Sequence, residues 1–145
     1  MNNRVLIGGL IGAVALFLLG YLIYGFMLSA MMAEYTMPGL AKEGPDFSVV
    51  VMFFANVAMG FLLAYILDKG NANTMAAGAT MGGIVGLLFG LAVNLSLYAS
   101  TNYWTSMTGV FVDTIVSTLI FALVGAVIGW YYGRGRTGAA PAVRV

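Results

Sequence analysis

The sequence predicts an all-α integral membrane protein, a four-helix bundle, and three observations predict it. Hydrophobic residues make up 61% of the chain and charged residues only 8%. A soluble domain carries about 25% charged residues, so lipid rather than water must solvate much of this exterior. Four apolar segments, at about 5–33, 47–67, 74–99 and 107–132, each reach the roughly 20 residues needed to cross about 30 Å of hydrocarbon. Lipid offers the backbone no hydrogen-bond partners, so each segment must be a helix; the alternating pattern of a membrane barrel strand is missing. The 20 glycines fit the same class, because glycine is commoner in membrane helices than in soluble ones.

The first segment is well beyond the 7–15 apolar residues of a signal-peptide core and is expected to be a retained span. Met37-Pro38-Gly39 and Gly44-Pro45-Asp46 break the chain after it. Asp46 is placed to N-cap the second helix, its carboxylate accepting from free N–H groups. Gly70, after Asp68 and Lys69, is predicted to follow that helix at C′, and Asn73 or Thr74 to cap the third. A short polar link from Ser100 to Ser106, containing Tyr103 and Trp104, leads into the fourth. Residues 1–133 are thus one transmembrane domain, and the Gly/Ala/Pro/Arg-rich residues 134–145 a flexible tail.

Lysine and arginine set the expected orientation. With four spans, Arg4, Lys69, Arg134, Arg136 and Arg144 share a side, and only Lys42 lies opposite, among Glu34, Glu43 and Asp46. The positive-inside rule places both termini in the cytoplasm of an inner (plasma) membrane. Trp130, Tyr131 and Tyr132 are then expected in the cytoplasmic aromatic belt, and Tyr35, Tyr103 and Trp104 in the outer one.

Small residues recur every four positions. The third helix carries Gly78, Gly82, Gly86 and Gly90, continued by Asn94 and Tyr98. The first carries Gly8, Gly12, Gly20 and Tyr24, the second Asn56, Gly60 and Ala64, and the fourth Asp113, Ser117, Gly125, Gly129 and Gly133. This spacing keeps them on one helix face, a stripe that lets another backbone approach closely. The glycines are read as helix packing. Within each helix the small residues lie toward the cytoplasmic half and the polar ones further out.

Asp113 is the one ionisable side chain clearly inside a span. A charged carboxylate facing lipid costs about 2.5–3.5 kcal/mol at the bilayer centre and less near the edge, so it should face the bundle, a partner or water. Asn94 and Asp113 both lie roughly 8 Å below the outer boundary at 1.5 Å per residue, Asn56 and Tyr24 roughly 13 Å. Asp113, Asn94, Asn56, Tyr24 and Ser117 form the candidate polar site. It is either a hydrogen-bonded clasp that pins helix register or an outward-facing pocket for a proton, cation or small polar ligand.

Other chemistries find little support. Cysteine and histidine are absent and the net charge is +1 with no basic cluster, which removes thiolate and imidazole catalysis, zinc and iron–sulfur sites and a nucleic-acid partner. No cofactor, metal or catalytic constellation is predicted: Lys42 and Lys69 are in loops, and no second carboxylate enters a span. The 10 methionines are scattered and suit gap-filling.

Four stretches carry a family resemblance: Phe17-Leu18-Leu19-Gly20-Tyr21-Leu22-Ile23-Tyr24-Gly25-Phe26, Gly82-Gly83-Ile84-Val85-Gly86-Leu87-Leu88-Phe89-Gly90, Phe111-Val112-Asp113-Thr114 and Gly125-Ala126-Val127-Ile128-Gly129-Trp130. The chain resembles a group of small uncharacterised bacterial four-transmembrane-helix proteins, classed as a domain of unknown function, whose closing motif is Gly-x-x-x-Gly-Trp. Many of them have tryptophan at the position of Tyr21 or Leu22. The resemblance implies a topology and no activity. Small multidrug transporters need a carboxylate in the first helix, which is missing here, and the five-to-one Lys/Arg split disfavours a dual-topology fluoride channel. Gly8-Gly9-Leu10-Ile11-Gly12 is similar to Gly82-Gly83-Ile84-Val85-Gly86, which suggests two related helical hairpins.

The expected function is a non-enzymatic structural or interaction module in the lipid bilayer, acting alone, as a homo-oligomer or beside a larger membrane complex. The alternative is a small channel, carrier or ligand-binding protein using the outward-facing site around Asp113.

Overall fold

A computed structural model describes residues 2–40, 42 and 44–134. The fold is an all-α bundle. Its helices are α1 (Asn3–Gly20), continued by a π-helical segment (Tyr21–Met27), then α2 (Ser29–Tyr35), α3 (Val49–Lys69), α4 (Met75–Ser100) and α5 (Met107–Gly133). Four stretches are long and apolar enough to cross a membrane: Asn3–Met27, Val49–Lys69, Met75–Ser100 and Met107–Gly133, of 25, 21, 26 and 27 residues. Their outward faces are apolar, with Leu88, Ile115 and Leu119 all exposed, as lipid solvation requires. The protein is therefore a multi-pass membrane protein.

The first predicted segment, 5–33, is not one helix. Its α-helical ladder widens into the π segment at Tyr21 and breaks at Leu28, whose φ/ψ of −115°/3° leaves the helical region. The span ends at Met27, and α2 is a separate short helix. Asp46 is not the cap of α3. It closes a 3-10 turn, Gly44–Asp46, and the Ser48 side chain caps instead, accepting from the Val51 N–H. Thr74 caps α4, accepting from the Ala77 N–H.

The end of α3 also differs from expectation. Gly70 is the C-cap at φ −81°, and Asn71 takes the left-handed conformation at φ 53°. Asn71 N–H donates to Asp68 O and Ala72 N–H to Leu67 O, the two bonds of a Schellman closure. Asparagine tolerates the left-handed region better than most residues. The apolar contact that accompanies the motif is supplied by Leu67 and Ala72, both buried.

The helices pack as two antiparallel hairpins. In the α4/α5 hairpin the small residues of both helices interlock from end to end. A Cβ added at Gly78 would strike the Gly125 carbonyl oxygen, and one at Gly125 would strike that of Gly78. Gly82 lies against the backbone of Phe121 and Gly125, Gly86 against Thr118 and Phe121, Gly90 against Ser117, Gly129 against Thr74 and Gly78, and Gly133 against Asn73. In the α1/α3 hairpin Gly60 sits against the Gly9 carbonyl and the Ala13 amide, with Gly12 beside it. Gly9, not singled out by the four-residue spacing, therefore matters as much as Gly12. Gly8 faces the Tyr132 ring of the other hairpin, whereas Gly20 meets nothing within 4 Å and is not a packing residue.

The two hairpins join through α5. Leu16, Leu63, Ala64 and Leu67 pack with Ile120, Phe121, Val124, Ile128 and Tyr132 in one core. Tyr132 donates its hydroxyl to the Ala64 carbonyl at 3.0 Å. The core is concentrated toward the end that carries Asn2 and Arg134, where the predicted small-residue faces lie. α3 and α4 approach each other little.

Two aromatic-belt assignments need correction. Trp104 and Tyr132 are 6% and 3% exposed; both rings are core, not lipid interface. Trp104 is held by a short pairing between the α2 end and the α4–α5 link: Met37 N–H donates to Tyr103 O and Thr105 N–H to Tyr35 O, each at 2.9 Å. Gly109 gives the Trp104 ring and Tyr35 the room to pack. Trp130 remains half-exposed, with the Arg134 guanidinium 3.7 Å from its ring centroid.

Candidate functional site

The helix packing that closes one end of the bundle leaves the other end open. The α4/α5 contact is continuous, but α3 meets α1 and turns away from α4. A cleft of about 280 Å³ opens between α3 and α4, with α1 and α5 behind it. Its apolar wall includes Leu16, Met52, Met59, Phe89, Val93 and Phe121, and its polar groups are Asn56, Asn94, Asp113 and Ser117. Four of the five predicted site residues thus line one cavity.

Asn94 continues the glycine stripe of α4, and this register carries it into the α4/α5 seam at 4% exposure. Both of its amide hydrogens are used: Nδ2 donates to Asp113 Oδ2 at 2.7 Å and to Thr114 Oγ1 at 3.2 Å. Thr114 in turn donates to the Val110 carbonyl within α5. Ser117 donates back to the Thr114 carbonyl. Asn56 donates Nδ2 to the Met52 carbonyl of its own helix, which holds its carboxamide on the cleft wall.

Tyr24 is not among the residues that line the cleft. Its predicted depth is corrected by the break at Leu28: Tyr24 is within one turn of the end of its span, not about 13 Å inside. Asn56, seven positions into α3, is about 10 Å from that helix's start at 1.5 Å per residue. Asp113 and Asn94 are at comparable depth in α5 and α4, so the polar groups form one layer. Tyr98, the last member of the predicted stripe, is 40% exposed and lies outside it.

Tyr103 belongs to the site's surroundings and was not predicted there. Burial, and secondarily the negative charge of Asp113, push its phenol above the ordinary value of 10.0. The folded phenol keeps its proton where the unfolded one has lost it. Its contribution to stability is therefore whole below about pH 10 and is lost as pH rises through the folded value. A carbon-13 ring label on tyrosine should show Tyr103 titrating above pH 10, and Asp113→Asn should bring its midpoint down.

A second polar cluster, which sequence reasoning missed, closes the terminal end. Arg4, read only as an orientation charge, lies 3.8 Å from Asp68, donates to Asn73 Oδ1 and to the Tyr132 carbonyl, and sits 4.1 Å from the Tyr132 ring centroid. It ties the start of α1 to the end of α3, the α3–α4 link and the end of α5. Of the loop carboxylates around Lys42, Glu43 lies outside the described residues, as do Arg136, Arg144 and the rest of the tail beyond Arg134.

Comparison with protein-family models, with curated proteins and with solved structures found no match.

Proposed function

We propose that this chain is a non-enzymatic, ligand-binding protein of a bacterial inner membrane, with both termini cytoplasmic and the cleft around Asp113 open toward the outer side. One observation carries the proposal: Asp113, Asn94, Asn56 and Ser117, drawn from three helices, share the walls of a single cavity. A purely structural clasp needs the Asn94–Asp113 contact but no cavity beside it. A catalytic site needs a second acid–base group, and the polar neighbours of Asp113 are carboxamides and hydroxyls. The five-to-one Lys/Arg split supports the orientation.

A structural or interaction module, as a homo-oligomer or within a larger complex, is the second reading. The end-to-end glycine interlock of α4 and α5 and the short Asn94–Asp113 bond favour it.

The absence of cysteine from the chain makes a clean test. Asn56→Cys in membrane vesicles of known sidedness should react with a small charged thiol reagent added from the outer side, and Leu88→Cys on the lipid-facing surface should not. An unreactive cysteine at 56, in a variant that folds normally, would leave the structural reading in possession.

A further inference from the structure

Among the described residues that wall the cleft, Asp113 is the one ionisable group. Asp113 receives its hydrogen bond from a neutral donor, the Asn94 amide. Such a donor holds and orients a carboxylate but leaves its charge in place. Among the described residues, no basic one lines the cavity. Arg4 is engaged with Asp68 at the opposite end of the bundle, and Arg134 ends α5 about 30 Å from Asp113 at 1.5 Å per residue. A carboxylate set in an apolar layer of this kind is complementary to a cation or a proton.

The walls choose among cations. An inorganic ion such as calcium takes six to eight oxygen ligands, and the cleft offers one carboxylate with two carboxamides and a hydroxyl. Its surface is otherwise apolar, mainly methionine, leucine, valine and phenylalanine. Phe89 and Phe121 both line it, and a phenyl face attracts an ammonium as well as an apolar body. At about 280 Å³ the space is at the small end of ligand sites, enough for one ring or a short alkyl group rather than a two-chain lipid.

We infer that the cleft receives a small amphipathic organic cation, its ammonium against Asp113 and its apolar body against Phe89 and Phe121; this rests on the ligand-binding function proposed above.

Three compounds with the same body separate charge from partitioning: 2-phenylethylammonium, 2-phenylethanol and phenylacetate. Equilibrium dialysis against the full chain in lipid nanodiscs, with empty nanodiscs subtracted, should show saturable binding of the ammonium. The alcohol should bind at least about tenfold more weakly and the carboxylate not at all. Asp113→Asn should remove the preference for the ammonium over the alcohol, and Asp113→Glu should retain it; the melting temperature of each variant shows that it is folded. Equal binding of ammonium and alcohol would overturn the cation inference while leaving a ligand cleft. Binding of none of the three, with Asn56→Cys reactive, would overturn it too and leave the cleft accessible. An unreactive Asn56→Cys would remove both.

Discussion

Alanine at Gly78 is expected to destabilise the protein by about 1–3 kcal/mol, the range for overpacking a tight interior. The added methyl would lie against the Gly125 carbonyl oxygen and the Cα of Gly129. Those are backbone atoms of a helix and cannot swing aside as a side chain could. The contact is reciprocal, since a methyl at Gly125 meets the Gly78 carbonyl. Either substitution must push α4 and α5 apart along a seam that runs from Asn73 and Gly133 at one end to Asn94 and Asp113 at the other. Membrane helices associate mainly through such van der Waals contact, because lipid supplies no hydrophobic drive between them. Gly83→Ala is the internal control: its methyl would meet only the Ala122 Cβ, at an ordinary 3.6 Å. It should be neutral or slightly stabilising, as alanine is the better helix former. Unfolding in bicelles, followed by steric trapping, measures both. Equal losses at 78 and 83 would mean that the seam is not where the two backbones meet.

Leucine at Asn94 should be the costliest change in the polar layer, about 1–3 kcal/mol, because it leaves a partly buried carboxylate without its Asn94 donor. The loss belongs to the pair. Asp113→Leu alone leaves one of the Asn94 amide hydrogens unpaired, since the other still meets Thr114 Oγ1, yet the double leucine variant strands neither group and should cost less than the two single changes summed. Interhelical hydrogen bonds in membranes couple by about 0.6 kcal/mol on average and up to about 1.7; the short Asn94–Asp113 bond belongs at the upper end. A strictly additive cycle would show that the two groups do not act on each other. Ligand binding adds a second readout, since only the loss of Asp113 removes a charge from the cleft.

Much of this architecture is legible in the sequence because lipid imposes simple demands. Apolar runs of sufficient length had to be spanning helices, and glycines at every fourth position had to be a face of close approach. The Asn94–Asp113 meeting followed from equal depth in consecutive antiparallel helices. The π segment and the break at Leu28 were not legible: no proline or glycine–proline pair marks them, and Tyr21–Met27 contains no charged residue. Their consequence, the shallow position of Tyr24, was missed with them. Asp46 looked like a cap because it precedes the apolar run, but the 3-10 turn before α3 moved the helix start to Val49 and gave the role to Ser48. Trp104 and Tyr132 looked like belt residues because they flank spans. Whether a flanking ring faces lipid or core depends on the neighbouring helix, which the pattern of one segment does not contain. The cluster on Arg4 joins residues 69 and 128 positions apart, a distance over which no local spacing rule operates.

The two hairpins meet closely through α5, while α3 and α4 stand apart over Asp113. Paired cysteines in the membrane-embedded chain test this directly. Gly90→Cys with Ser117→Cys, across the α4/α5 seam, should join on mild oxidation, whereas Asn56→Cys with Val93→Cys, on opposite walls of the cleft, should require a longer bifunctional reagent. Direct disulfide formation between positions 56 and 93, with none between 90 and 117, would contradict it.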